Sequence, residues 1–295
     1  MKKYCCVVLL CFMAVFALVA CNRDASPDDT DVSDPGGSLD GSGGTEPSDS
    51  GGDGAAAYNK TTVTFQTVDE LTITADLYTI HDEAPWMIMF HQDDASRGEY
   101  ARIAPLLSVL GYNCLAVDQR LGWEKNGVLN ETYANAIAQW RYIDIFTNEG
   151  AFADAIPDVL IDMEAAVLYV KNQFNAETVT IMGSGYSAGL ALVLASELPQ
   201  HIGGTLSFSP AELEIGGKTL GEYAAGIESP VLIAVQSASA TRAETEAVYD
   251  IIPAENKILV ATNEHATDAL AYNSFNTAAD ENPTWKQVIE FLLSF

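Results

Sequence analysis

The chain has 295 residues, with 41 acidic against 14 basic side chains and a formal net charge of −27. That length holds one large domain or two small ones, and a 48% apolar composition is enough to build a core. Nine acids and one base fall in 22–57 and two lysines in the first three residues, leaving 58–295 with 32 acids against 11 bases. A surface this acidic repels polyanions, which excludes nucleic acid and anionic lipid headgroups as partners.

The N-terminus reads as a secretory signal over residues 1–20: Lys2 and Lys3, then an apolar run from Cys5 to Ala20. Leu18-Val19-Ala20-Cys21 resembles the bacterial lipobox. The resemblance implies cleavage before Cys21, acylation of its thiol and a membrane anchor in the cell envelope. Asn22, rather than an acid, directly after Cys21 points to the outer membrane or cell surface. Residues 21–57 are rich in Asp, Ser, Gly and Pro, cannot bury a core, and predict an extended, self-repelling tether. Cys5, Cys6 and Cys11 leave with the signal and Cys21 takes lipid, so Cys114 stands alone and no disulfide staples the domain 58–295.

Within that domain, KTTVTFQTV and LTITADLYTI alternate at period two and predict an antiparallel pair turning at Asp69-Glu70. APWMIMF is continuously apolar, as a strand buried on both faces must be. A helix follows over about Tyr100–Leu110, stopped by Gly111, and then the strand NCLAVD. The segment Arg120–Pro157 is irregular and aromatic, with Trp123, Tyr133, Trp140, Tyr142, Phe146 and Phe152, and reads as a cap-like contribution to a substrate wall. Beyond it come helix Asp158–Phe174, strand TVTIMG, helix Ala188–Leu198, strands GTLSFS and PVLIAVQ, helix Ala243–Ile252, strand KILVAT and a helix from about Trp285. Strand and helix in alternation predict an α/β fold: a mostly parallel central sheet with helices on both faces, in one domain.

Between TVTIM and ALVLAS lies GSGYSAGL. Of its two serines, Ser187 has glycines two residues away on each side, Gly185 and Gly189. A one-residue turn from strand to helix needs small residues at those places and projects the central hydroxyl from the sheet edge. Ser187 is therefore the candidate nucleophile, while Ser184, with Met182 two residues before it, is expected to bond locally. A serine needs a base. Of His81, His91, His201 and His265, only His265 follows the last strand, downstream of the serine, where this architecture carries its base. The backbone N–H of Ala188, with that of Gln92 or Asp93 after the strand APWMIMF, would hold an oxyanion. Asp93, Asp94 and Glu99 carry no further ligand set, so no metal is assigned, and no cofactor is implied.

With these residues placed, the chain resembles the α/β-hydrolase superfamily, nearest its bacterial esterase and dienelactone-hydrolase-like branch. The resemblance runs from about Thr61 to Phe295 and rests on FHQDDASRGEYARIAPLLSVLGYNCLAVDQR, GSGYSAGLAL, SFSPAE and NEHATDAL. It implies that Ser187 attacks a carbonyl, His265 removes and returns the proton, and an acyl-serine forms. The small-molecule acyl substrate would be a carboxylic ester or a relative of one. Two departures stand out: Gln92 replaces the glycine common after the histidine, and QSASATRAETEA has Ser239 near the expected aspartate. Glu212 and Glu244 are the alternatives for the triad acid. A serine peptidase, or a non-catalytic ligand- or partner-binding lipoprotein with a degenerate triad, are the rival readings.

Overall fold

The computed structural model describes residues 58–139, 151–271 and 282–295. The signal peptide, Cys21 and the tether to residue 57 lie outside the described residues, as do Trp140, Tyr142, Phe146 and the side chain of Phe152.

Eight strands form one sheet: β1 (Asn59–Gln66), β2 (Thr72–Thr79), β3 (Trp86–Phe90), β4 (Asn113–Val117), β5 (Val179–Ser184), β6 (Ile202–Phe208), β7 (Val231–Gln236) and β8 (Lys257–Thr262). Their spatial order is β1-β2-β4-β3-β5-β6-β7-β8. β2 runs antiparallel to both β1 and β4, and all pairings from β4 to β8 are parallel. The hairpin turns at Glu70, φ 66°, where the sequence predicts it.

The helices are α1 (Ile103–Val109), α2 (Glu131–Ala138), α3 (Ala151–Phe174), α4 (Tyr186–Glu197), α5 (Leu220–Ala224), α6 (Arg242–Ile251), α7 (Asp268–Ala271) and α8 (Pro283–Leu292). The period-two alternation of β3 divides the core. Ile88 and Phe90 face the cluster of Val159, Met163 and Val167 from α3 with Leu190 and Leu194 from α4. Met87 and Met89 face Ile103 and Leu107 of α1 with Trp285, Val288 and Phe291 of α8. Each fully buried side chain of this size contributes roughly 1.5–3 kcal/mol, so both layers hold the sheet and fix its C-terminal edge.

Three elements differ from the sequence reading, the first being α2, a helix inside the segment 120–157 read as irregular, started by the Asn130 side chain accepting the Tyr133 N–H. The helix expected from about Tyr100 starts only at Ile103, as α1, and a 3-10 turn, Arg97–Tyr100, capped by Ser96, precedes it. Pro157 lies inside α3 rather than before it, so the helix begins at Ala151. A proline removes one N–H and crowds the preceding turn, which is why the pattern points to a start at Asp158.

Ion pairs made by two buried arginines tie down the segment after β4. Arg97 bridges Asp76 (3.1 Å), Asp118 and Glu131 (2.7 Å), while Arg120 meets Asp162 at 2.7 Å and Asp69 at 3.2 Å. Asp118 also accepts the backbone N–H of Arg97 and of Glu131. Among the described residues, no helix is long and apolar enough to cross a membrane.

Candidate functional site

β5 ends at Ser184 and α4 begins at Tyr186, so one residue, Gly185, makes the whole turn from strand to helix. Its φ of 59° and ψ of −122° lie where a side chain is strained and glycine is not. A Cβ on Gly183 would stand 2.2 Å from the carbonyl oxygen of Ser187, so the backbone two residues before the turn and two after it are in contact. The elbow is thus centred on Gly185, with Gly183 and Ser187 as its flanking small residues. The sequence offers two overlapping registers, Gly183-x-Gly185-x-Ser187 and Gly185-x-Ser187-x-Gly189, and β5 selects the first by pairing through Gly183↔Ser207 and Ser184↔Phe208. Gly189 answers a different need: a Cβ there would meet Leu213 Cδ1 at 2.7 Å and Ala211 O at 2.8 Å.

Ser187 is fully buried in the first turn of α4. Its hydroxyl lies 2.7 Å from the carbonyl oxygen of His91 and 3.1 Å from the Gln119 amide, at the position assigned to Oε1. A hydroxyl has one proton, and the His91 carbonyl can only accept it. The Gln119 amide therefore turns its nitrogen to Ser187, which also gives the buried Nε2, otherwise an orphan, its partner. His91 closes the cluster: Nε2 accepts the N–H of Gln119 at 3.1 Å, so Nδ1 carries the proton and donates to Gln92 O at 2.7 Å. Ser184, also fully buried, bonds across the fold to Thr267 at 3.4 Å rather than locally.

Two of the three backbone donors considered for an oxyanion are engaged. Ala188 N–H donates to Gly185 O at 3.1 Å, and Gln92 N–H donates to Glu99 Oε2 at 3.0 Å. The Asp93 N–H donates to no described residue. Glu99, buried and bonded also to Thr267, is the partner that sequence reasoning missed. Only the 3-10 turn that folds Arg97–Tyr100 back under the β3 loop brings it there.

Gly185 opens onto a cleft of about 380 Å³ at the C-terminal edge of the sheet, where Asp93, Tyr186, Ser209, Thr241 and His265 also line the wall. Ser187 is not among the lining residues. Ser209 (φ 54°) and Ala266 (φ 51°), both strained, are joined by the bond from Ala266 N–H to Ser209 Oγ at 2.9 Å and hold the His265 loop against the end of β6. His265 itself is exposed, and its ring bonds to no described residue. Glu212 and Glu244, also exposed, line a small crevice that shares Pro210, Thr241 and Thr245 with the cleft. Neither carboxylate bonds to His265 among the described residues. Burial pushes the Tyr186 phenol well up, and the carboxylates of Asp162, Asp93 and Glu99 push it the same way. Of the segment after β4, Trp123 and Tyr133 meet edge-on at 5.8 Å, and neither lines the cleft.

No protein-family model and no curated protein matches the chain. Solved structures do. An esterase from Pyrococcus furiosus superposes with a TM-score of 0.58 at 16% identity, over 80% of this chain and 91% of its own. A putative dienelactone hydrolase from Klebsiella pneumoniae gives 0.60 at 13% identity, over 81% and 100%. A dienelactone hydrolase from Anabaena variabilis gives 0.57 at 14%, over 81% and 98%. At such identities the likeness is one of architecture, and with the strand order and the one-residue elbow it establishes that the described residues have the α/β-hydrolase fold.

Proposed function

We propose that this protein binds a small molecule in the cleft over Gly185 without forming an acyl-serine, as a hydrolase-fold binding lipoprotein held in the cell envelope through Cys21. The observation that supports it is the elbow. The fold's nucleophile stands at the single residue between β5 and α4, and here that residue is glycine. Ser187, two residues on, spends its proton on the His91 carbonyl, and its hydroxyl bonds to no imidazole among the described residues. Attack by a hydroxyl so placed needs both bonds broken and the helix turn opened, which raises the barrier before chemistry starts.

The second reading is ester hydrolysis, with Ser187 as nucleophile, His265 as base and Glu212 or Glu244 as acid. It is favoured by the likeness to esterase and dienelactone hydrolase structures and by the presence of His265 at the cleft. A fluorophosphonate probe separates the two. The wild-type protein is expected to stay unlabelled from neutral to alkaline pH, and Gly185→Ser is expected to become labelled. Wild-type labelling that is lost in Ser187→Ala and kept in Ser184→Ala would establish the hydrolase instead. For the anchor, Cys21→Ser is expected to move the protein from the membrane to the soluble fraction. A variant that stays membrane-bound rejects acylation at that cysteine.

A further inference from the structure

The cleft has a sign. Its lining includes the carboxylate of Asp93 and no lysine or arginine, and the adjoining crevice adds Glu212 and Glu244. Asp93 is exposed and forms no ion pair among the described residues. The nearest cation in sequence, Arg242, is committed elsewhere: Nε to Glu246 at 2.7 Å and Nη1 to Ser237 O at 3.4 Å. Two helices start at the cleft, α4 after Gly185 and α6 after Thr241, and each N-terminus adds about half a positive charge. Three carboxylates outweigh two such half charges. The rest of the wall holds the His265 imidazole, the one side chain there that can carry positive charge, with the hydroxyls of Ser209, Ser239 and Thr241 for polar contacts and Pro210 and Val235 for apolar ones.

From this lining we infer that the cleft selects a small organic monocation, an amine whose ammonium meets Asp93 while an uncharged body fills the space over Gly185. An anionic ligand would enter against Asp93 and the two carboxylates of the adjoining crevice with no lysine or arginine to receive it, and a wholly neutral one would leave Asp93 unused. A glycine at the elbow suits this, because no hydroxyl or Cβ occupies the floor where the body rests. The inference rests on the binding reading of the same cleft and adds the charge of the ligand to it.

The test uses three probes with one body and three charges: phenethylamine, 2-phenylethanol and phenylacetate, titrated calorimetrically into the lipid-free protein at low salt. Phenethylamine is expected to bind about tenfold or more tightly than 2-phenylethanol, with phenylacetate weakest, since one close opposite charge at a partly exposed site is worth about that factor. Asp93→Asn is expected to shrink the gap between amine and alcohol to threefold or less without moving the urea midpoint, and raised salt is expected to narrow it too. Equal binding of all three, tighter binding of phenylacetate, an amine preference untouched by Asp93→Asn, or no binding of any probe overturns the inference. The fluorophosphonate result reads the binding proposal separately: an unlabelled protein that binds all three probes alike keeps the cleft and loses the cation.

Discussion

The elbow and the histidine loop meet at one cleft but are built in opposite ways. From Gly183 to Gly189 every residue is buried, and each is held by backbone contact or hydrogen bond: Gly183 against Ser187 O, Ser187 on His91 O, Gly189 against Ala211 O. In the loop after β8, the backbone is fixed through Ala266 and Thr267 while the side chain of His265 is left in solvent. A packed turn keeps its form whatever side chain stands at its centre, because the packing is what the fold needs. A displayed side chain contributes little to folding and stays free to act or to go unused. The elbow therefore carries stability and the loop carries whatever chemistry remains.

The strongest way to break that contrast is Gly183→Ala. The new Cβ would sit 2.2 Å from Ser187 O and 2.8 Å from Ala188 Cα, both backbone atoms that cannot rotate away. We expect a loss of about 3 kcal/mol, at the upper end for overpacking, read as a lowered urea midpoint at unchanged slope. Gly217→Ala, whose Cβ meets nothing within 4 Å, pays only for its φ of 78° and is expected to cost about 1 kcal/mol. If the two variants melt alike, the elbow is not rigid.

Ser187→Ala comes next. It strands the His91 carbonyl and the Gln119 amide in a buried setting, for about 1–3 kcal/mol. The binding reading expects unchanged ligand affinity, measured by calorimetry, together with that loss in stability. Gly185→Ser is expected to cost about 1–2 kcal/mol, since the residue keeps φ near 59° and brings a Cβ to 3.1 Å from Gln92 Cβ. Unlike Ser187→Ala, it adds reactivity.

Much of this was legible in the sequence, and the part that was not has a physical reason. β3 was plain from WMIMF because a strand buried on both faces has no polar residues to break the run. The β5–α4 junction was equally plain as a place. Its centre was not, because Gly183, Gly185, Ser187 and Gly189 satisfy the small-residue spacing twice, and only the end of β5 decides between the two registers. Strand ends are set by pairing with neighbours distant in sequence. The engagement of Gln92 by Glu99 was hidden for a similar reason: they stand seven positions apart, and a 3-10 turn ahead of the expected helix, which periodicity does not reveal, brings them together. Glu212 and Glu244 are both displayed at the crevice beside the cleft, and neither bonds to the imidazole of His265 among the described residues, a separation that sequence spacing does not reveal.

The smallest expected effect on folding is His265→Ala. The ring is exposed and bonds to no described residue, so its loss should shift stability by no more than about 0.5 kcal/mol in either direction. The same substitution separates a displayed base from an idle one when made on top of Gly185→Ser. If the loop still places the imidazole to activate a hydroxyl at the elbow, labelling of the Gly185→Ser protein by a fluorophosphonate should slow about 10³-fold or more when His265 is removed. A Gly185→Ser protein that labels at the same rate with and without His265 would mean that the loop does not hold the imidazole where an elbow hydroxyl could use it. Equal stability with a large difference in labelling would show instead that the chemistry of this fold was removed at one residue and kept at the other.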